Sequence, residues 1–171
     1  MVFWAFRTFG QDLVVYFLEP GTRKPQRSFR LHMRYNLELI YRLCGEVGLS
    51  ARMADQRLEI DLGQGAILCF QNAEREEDCL IGFRDTPWHT HDDIMFADAR
   101  GNCIELDHLN LLTGLAEGRV LVCEREVEGR TVDLWLIHSE YNDECKYLHK
   151  GERIIMRRAA VRERGRDSDQ R

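Results

Sequence analysis

The stretch 119–138, RVLVCEREVEGRTVDLWLIH, decides the fold. Two runs rich in strand-forming residues, 119–127 and 131–138, flank the dipeptide Glu128-Gly129. Glycine readily adopts the positive φ that a tight hairpin turn requires. The stretch therefore predicts a two-stranded antiparallel hairpin.

Two helices are predicted upstream of this hairpin. In the segment 30–47, apolar residues recur at positions 33, 37, 40, 44 and 47, which is one stripe of a helix, and Gly48 follows at the position of a C-terminal cap. A second helix is predicted over 107–117, with Asp107 as N-cap and Gly118 as C-terminal cap. Its positions 109, 112 and 116 fall on one face, with 111 and 115 beside it. We expect both stripes to face the core.

Further strands complete the predicted architecture. Leu58, Ile60 and Leu62 alternate with Glu59 and Asp61, which is typical of a half-exposed strand. Strands are also predicted at 66–70 and 79–83, in a small hairpin at 94–97 and 102–105, and at 153–156. A short helix is predicted after residue 139. These elements predict an α+β fold: a mostly antiparallel sheet of about six to eight strands, with two main helices packed on one face.

The predicted organisation is one domain between an N-terminal hairpin with a basic loop and a charged C-terminal tail. A chain of 171 residues is the usual length of a single domain. Residues 1–30 are expected to form an N-terminal hairpin and a basic loop, and 31–160 a single α+β domain. Residues 161–171 are expected to form a disordered charged tail, because no apolar residue follows Val161.

Composition excludes several classes of function. The net charge is −5, so a nucleic-acid partner, which requires a basic surface, is not expected. The sequence contains no CxxC pair, no GxGxxG, no P-loop and no GxSxG motif. Its six cysteines have apolar neighbours and are expected to be buried thiols. With no long apolar segment and no typical signal peptide, we expect no membrane association and a cytoplasmic location.

The densest group of chemically versatile residues is the segment 87–93, PWHTHDD. Residues two apart on a strand project from the same face, so His89 and His91 could bind one divalent metal ion with Asp93 as a third ligand. His138, on a strand of the hairpin, could join them. In the alternative interpretation the segment is a polar loop that Trp88 anchors to the core, and the protein has no cofactor.

His89-x-His91-x-Asp93 resembles the first five positions of the HxHxDH motif of the metallo-β-lactamase fold. The sixth position is Ile94 instead of histidine. The pair is also similar to the HxHP motif of JAMM-type metalloproteases, but Asp92 stands where that motif has proline. The resemblance covers only a few residues, and no activity is carried over from it. The alternative function is a metal-binding protein or a metal-dependent hydrolase that uses His89, His91 and Asp93.

The leading functional hypothesis rests on acidic loops. One acidic run includes Glu76, Glu77 and Asp78, a second includes Asp92 and Asp93, and a third spans 140–144. Such runs attract basic partners over long distances, and an aromatic residue in a polar loop, here Trp88, can anchor an interface. These features favour a non-enzymatic protein-interaction domain, such as a bacterial immunity or adaptor protein, that binds a basic protein partner.

Overall fold

The computed structural model describes residues 34–73, 79–91, 93–141 and 149–162, together with the backbone of 3–9 and 12–18. The chain divides into two compact units, Met1–Arg34 and Tyr35–Arg171. In the first unit, β1 (Phe3–Phe9) pairs antiparallel with β2 (Asp12–Leu18). The predicted domain boundary near residue 30 and the predicted tail stay predictions.

The second unit contains two helices and ten strands among its described residues. In chain order they are α1 (Leu37–Val47), β3 (Ser50–Ala54), β4 (Arg57–Asp61), β5 (Ile67–Gln71), β6 (Leu80–Phe83), β7 (His89–Thr90), β8 (Ile94–Ala97), β9 (Cys103–Leu106), α2 (His108–Glu117), β10 (Val120–Val127), β11 (Arg130–His138) and β12 (Glu152–Arg157).

The α+β fold class is confirmed, and the described strands of this unit all pair antiparallel. Strands β3 to β7 form a five-stranded meander in chain order, β8 and β9 form a hairpin, and the third sheet has the order β11-β10-β12. The strands of this unit thus divide among three sheets, where the sequence predicted one sheet of six to eight. The meander ends at β7, which is only two residues long.

The hairpin predicted over 119–138 is present. It consists of β10 and β11, with Val120 opposite His138. Both turn residues have positive φ, 52° at Glu128 and 76° at Gly129. A two-residue turn with positive φ at both positions has a backbone twist that matches the right-handed twist of the flanking strands. A β-bulge between Arg125 and Glu126 shifts the register, a detail that alternation in the sequence does not reveal.

Both helices carry the predicted caps, but one begins later than predicted. Asn36 caps α1 by accepting a hydrogen bond from the Leu39 amide, so residues 34–36 precede the helix instead of belonging to it. Asp107 caps α2 in the same way. The centre of the buried face of α2 lies at 111, 112 and 115, whereas 109 and 116 are only partly buried.

The core lies between the helices and the inner faces of the sheets. Its largest fully buried side chains include Ile40 of α1, Phe70 of β5 and Leu112 of α2. Tyr35 joins the start of α1 to this core, since its backbone exchanges two 2.8 Å hydrogen bonds with the Asn72 side chain. Its ring packs edge-on against Phe70. The inner face of the meander thus contacts the core, and Glu59, between the buried Leu58 and Ile60, lies on the outer face.

Candidate functional site

A small cavity opens where the margins of the three sheets meet. Its volume is about 160 Å³, and it is lined by residues 88–90 at β7, residues 94–96 of β8 and Leu136 of β11. Among the described strands, β7 and β8 each lie at the edge of a sheet. Edge strands present backbone groups that can pair with another chain. The cavity therefore lies where a partner could make both apolar and backbone contacts.

Trp88 forms one wall of the cavity and is anchored to the core. Its ring centroid lies 5.6 Å from that of Phe83, and its carbonyl accepts a hydrogen bond from the Phe83 amide. The side chain is half-buried. Trp88 thus holds the segment 87–91 against the meander while one part of the indole faces the cavity.

Gly82 allows β7 to approach β6 closely. A Cβ atom at this position would lie 2.9 Å from both the Cβ of His89 and the carbonyl oxygen of Trp88. Those distances are shorter than van der Waals contact, so glycine is required by this approach. The wall formed by Trp88 and His89 depends on that spacing.

Met95 is an exposed apolar residue at the opening of this cavity, and the surface around Trp88 and Met95 is called the rim below. It is 65% exposed, although its neighbours Ile94 and Phe96 are buried. Across the β8–β9 hairpin it pairs with Glu105, which is also exposed. The rim of the cavity therefore presents a flexible thioether across the hairpin from an exposed carboxylate.

His89 and His91 lie close together beside this rim. Their ring centroids are 5.2 Å apart and their planes are perpendicular. Nδ1 of His89 lies 2.8 Å from the Pro87 carbonyl oxygen, and Nδ1 of His91 lies 3.1 Å from that of Cys79. A carbonyl can only accept, so both Nδ1 atoms must carry hydrogen, and in the neutral rings Nε2 keeps the lone pair.

The predicted metal-ligand set is not assembled as a whole. Within the described ranges, no group of three or more His, Cys, Asp or Glu side chains is placed to hold a metal ion. Asp93 is half-buried, and it does not form a three-residue metal-ligand set with the two histidines. Four predicted partner-binding residues, Glu76, Glu77, Asp78 and Asp92, lie outside the described residues, as does most of the short helix predicted after residue 139.

His138 occupies the core edge instead of joining the other two histidines. It is 3% exposed and packs against Phe96 and Tyr141. Its Nδ1 accepts a hydrogen bond from the Glu140 amide, and the buried Nε2 has no hydrogen-bond partner. Burial lowers the pKa of the His138 imidazole, because charging the ring there costs solvation.

Sequence reasoning missed an ionic cluster on the outer face of the meander. Glu59, predicted on the exposed side of its strand, is only 2% exposed because the side chains of Arg52, Arg57 and Arg84 cover it. The hydrogen bond from Arg52 holds the pKa of the Glu59 carboxyl below its usual value, despite burial. The alternation of β4 places Glu59 and Arg57 on the outer face, but Arg52 comes from β3 and Arg84 follows β6, so their approach to Glu59 depends on how the strands pair.

Of the five free cysteines within the described residues, four are buried as predicted and Cys103 is exposed. None of the helices in the described residues has the length and apolarity required to cross a membrane.

Comparison of the chain with protein-family models, with curated proteins and with solved structures yields no match.

Proposed function

We propose that the protein is a non-enzymatic interaction domain, of the immunity or adaptor type, that binds a basic protein partner at the rim around Trp88 and Met95. The observation that carries the proposal is the cavity between the edge strands β7 and β8, with Met95 65% exposed beside it. An apolar side chain of the partner enters the cavity, and cationic groups of the partner lie against Glu105.

The size of the cavity favours a protein partner over a substrate. Small-molecule sites typically have volumes of roughly 300–1,000 Å³, whereas this cavity has about 160 Å³. Such a volume suits one inserted side chain. An aromatic wall and an exposed methionine are also typical of surfaces that bind peptides of varied sequence.

A displayed library of random peptides tests this proposal. The protein is used to select binders, and each selected peptide is measured against wild type, Met95→Ser and the matched control Met53→Ser. Met53 is also an exposed methionine, at 45%, but lies on β3 at the opposite edge of the meander. We expect selected peptides to combine apolar and basic residues, and to lose about tenfold in affinity for Met95→Ser alone.

Two results would contradict the proposal. In the first, the selected peptides are acidic or show no common composition. In the second, peptide binding is equally affected by Met95→Ser and Met53→Ser. Either result would remove the rim as the binding surface.

The second candidate function is divalent metal binding by His89 and His91. The observation that favours it is the pair of carbonyl contacts, since metal-binding histidines commonly donate their other ring N–H to such acceptors. Two imidazoles that share a tetrahedral zinc ion place their ring centroids roughly 5 Å apart, and here the separation is 5.2 Å. Water or a partner would supply the remaining ligands.

Metal analysis separates the two candidates. Protein purified without a histidine tag is first dialysed against a chelator to remove bound metal and is then titrated calorimetrically with Zn²⁺, together with His89→Ala/His91→Ala and the control His149→Ala, which replaces an exposed histidine. One equivalent of zinc bound by wild type and by the control, and lost in the double variant, supports the metal site. Binding well below one equivalent, or binding that survives the double substitution, excludes it.

A further inference from the structure

The outer face of the meander carries one buried carboxylate beneath three guanidinium groups. Nε of Arg52 donates to Oε2 of Glu59 at 2.8 Å, a terminal nitrogen of Arg57 lies 2.7 Å from Oε1, and one of Arg84 lies 3.6 Å from Oε2. Arg52 and Glu59 face each other directly in the register of β3 and β4. The cluster is therefore part of the regular surface of the sheet.

The cluster has an excess of positive charge. Three arginines face Glu59, and within the part of the chain that the structure describes the one further carboxylate paired with them is Asp85, which lies 3.2 Å from Arg84 and is 81% exposed. Counted over these ion pairs of the described residues, three guanidinium groups face two carboxylates, which is an excess of one positive charge. Among the described residues, Arg52 and Arg57 form ion pairs with Glu59 alone. This local excess stands out on a chain of net charge −5.

The arginines also keep hydrogen-bond donors available to solvent. A guanidinium group has five N–H donors. Arg52 uses Nε and one terminal nitrogen on Glu59, whereas the contact of Arg57 with Oε1 is an ion pair without hydrogen-bond geometry. Their side chains remain 69% and 42% exposed. Because Glu59 already orients these groups, an incoming anion would immobilise them at a reduced entropic cost.

From this geometry we propose that the Arg52–Arg57–Arg84 cluster binds the phosphate group of a small molecule. A phosphate monoester carries a charge of about −1.5 to −2 at neutral pH and three acceptor oxygens. Its charge complements the excess of the cluster, and guanidinium groups match phosphate oxygens in paired hydrogen bonds. The proposal is independent of the rim around Met95.

Calorimetric titration with inorganic phosphate, pyrophosphate and adenosine monophosphate tests the proposal. Wild type is compared with Arg52→Gln, Arg57→Gln and the control Arg130→Gln, an exposed arginine on β11. We expect saturable binding that weakens about tenfold or more in the first two variants and is unchanged in the control. Affinity should also fall between 25 and 250 mM salt because the contacts are ionic.

The three probes identify the source of the phosphate group. Equal affinities would show that the phosphate alone is recognised, and tighter binding of the nucleotide would show an organic phosphate. Melting curves of Arg52→Gln establish that this variant remains folded. The proposal is overturned if none of the probes binds at 10 mM, or if Arg130→Gln weakens binding as much as the cluster variants.

Discussion

Glu59→Gln is the most informative change to the structure, because it removes the buried charge and keeps the shape of the side chain. Glu59 is 2% exposed and contacts three arginines. Removing one partner of a fully buried ion pair typically costs 3–5 kcal/mol. Here the arginines are 37–69% exposed and can turn towards water, so we expect a loss of about 2 kcal/mol. The midpoint of thermal unfolding should fall by about 4–8 °C.

The assay is urea unfolding followed by circular dichroism, with Arg52→Gln as the matched control. Arg52 is largely exposed, and Glu59 keeps Arg57 and Arg84 as partners without it. We therefore expect Arg52→Gln to cost less than about 1 kcal/mol. Equal costs for the two variants, or a Glu59→Gln variant as stable as wild type, would refute the view that Glu59 organises the cluster.

Acid provides a second measurement on the same variant. The folded-state pKa of Glu59 is lowered from its usual value of 4.5, chiefly by the hydrogen bond from Arg52. Its stabilising contribution is therefore present above pH 4.5 and is lost as the pH falls through the folded-state pKa. Glu59→Gln has no such contribution, so its stability should decline less steeply in that range. Parallel acid profiles for wild type and variant would contradict this assignment.

Two further predictions concern β7 and the core edge. Gly82→Ala should cost about 1–3 kcal/mol in urea unfolding, because its Cβ would meet His89 and the Trp88 carbonyl at 2.9 Å; an unchanged midpoint would show that β7 can move away. The lowered pKa of His138 means that wild type loses stability as the pH falls below 6.5, since the unfolded chain then binds the proton more readily. His138→Phe should remove that loss between pH 7.5 and 5.5, and an unchanged pH dependence would exclude His138 as its source.

The parts of the fold that were predictable depend on local signals. Gly129 marked the hairpin turn, and Asp107 and Gly118 marked the ends of α2, because caps and tight turns place strict demands on single residues. The division into three sheets was not predictable. Strand alternation specifies which face of a strand is buried, but not which strands pair across a sheet.

Prediction of the candidate site was partial for the same reason. The segment 87–93 was identified from its residue types, and the structure brings His89 and His91 together. The contribution of Met95 and Leu136 to the same cavity depends on where β8 and β11 lie relative to β7, which no local pattern reveals. The cluster around Glu59 likewise requires the register of β3 with β4.

Amide NMR during titration with a selected basic peptide tests the proposed interaction surface most directly. The geometry predicts that the largest shifts occur at residues 88–90, 94–96 and 136, with small shifts on the outer face of the meander around Arg52. Because the exposed methionine dominates the rim, the expected tenfold loss of affinity in Met95→Ser should make these shifts severalfold smaller at a peptide concentration near the wild-type Kd. Shifts that concentrate elsewhere, or that are as large in Met95→Ser as in wild type, would contradict the assignment of this rim as the binding surface.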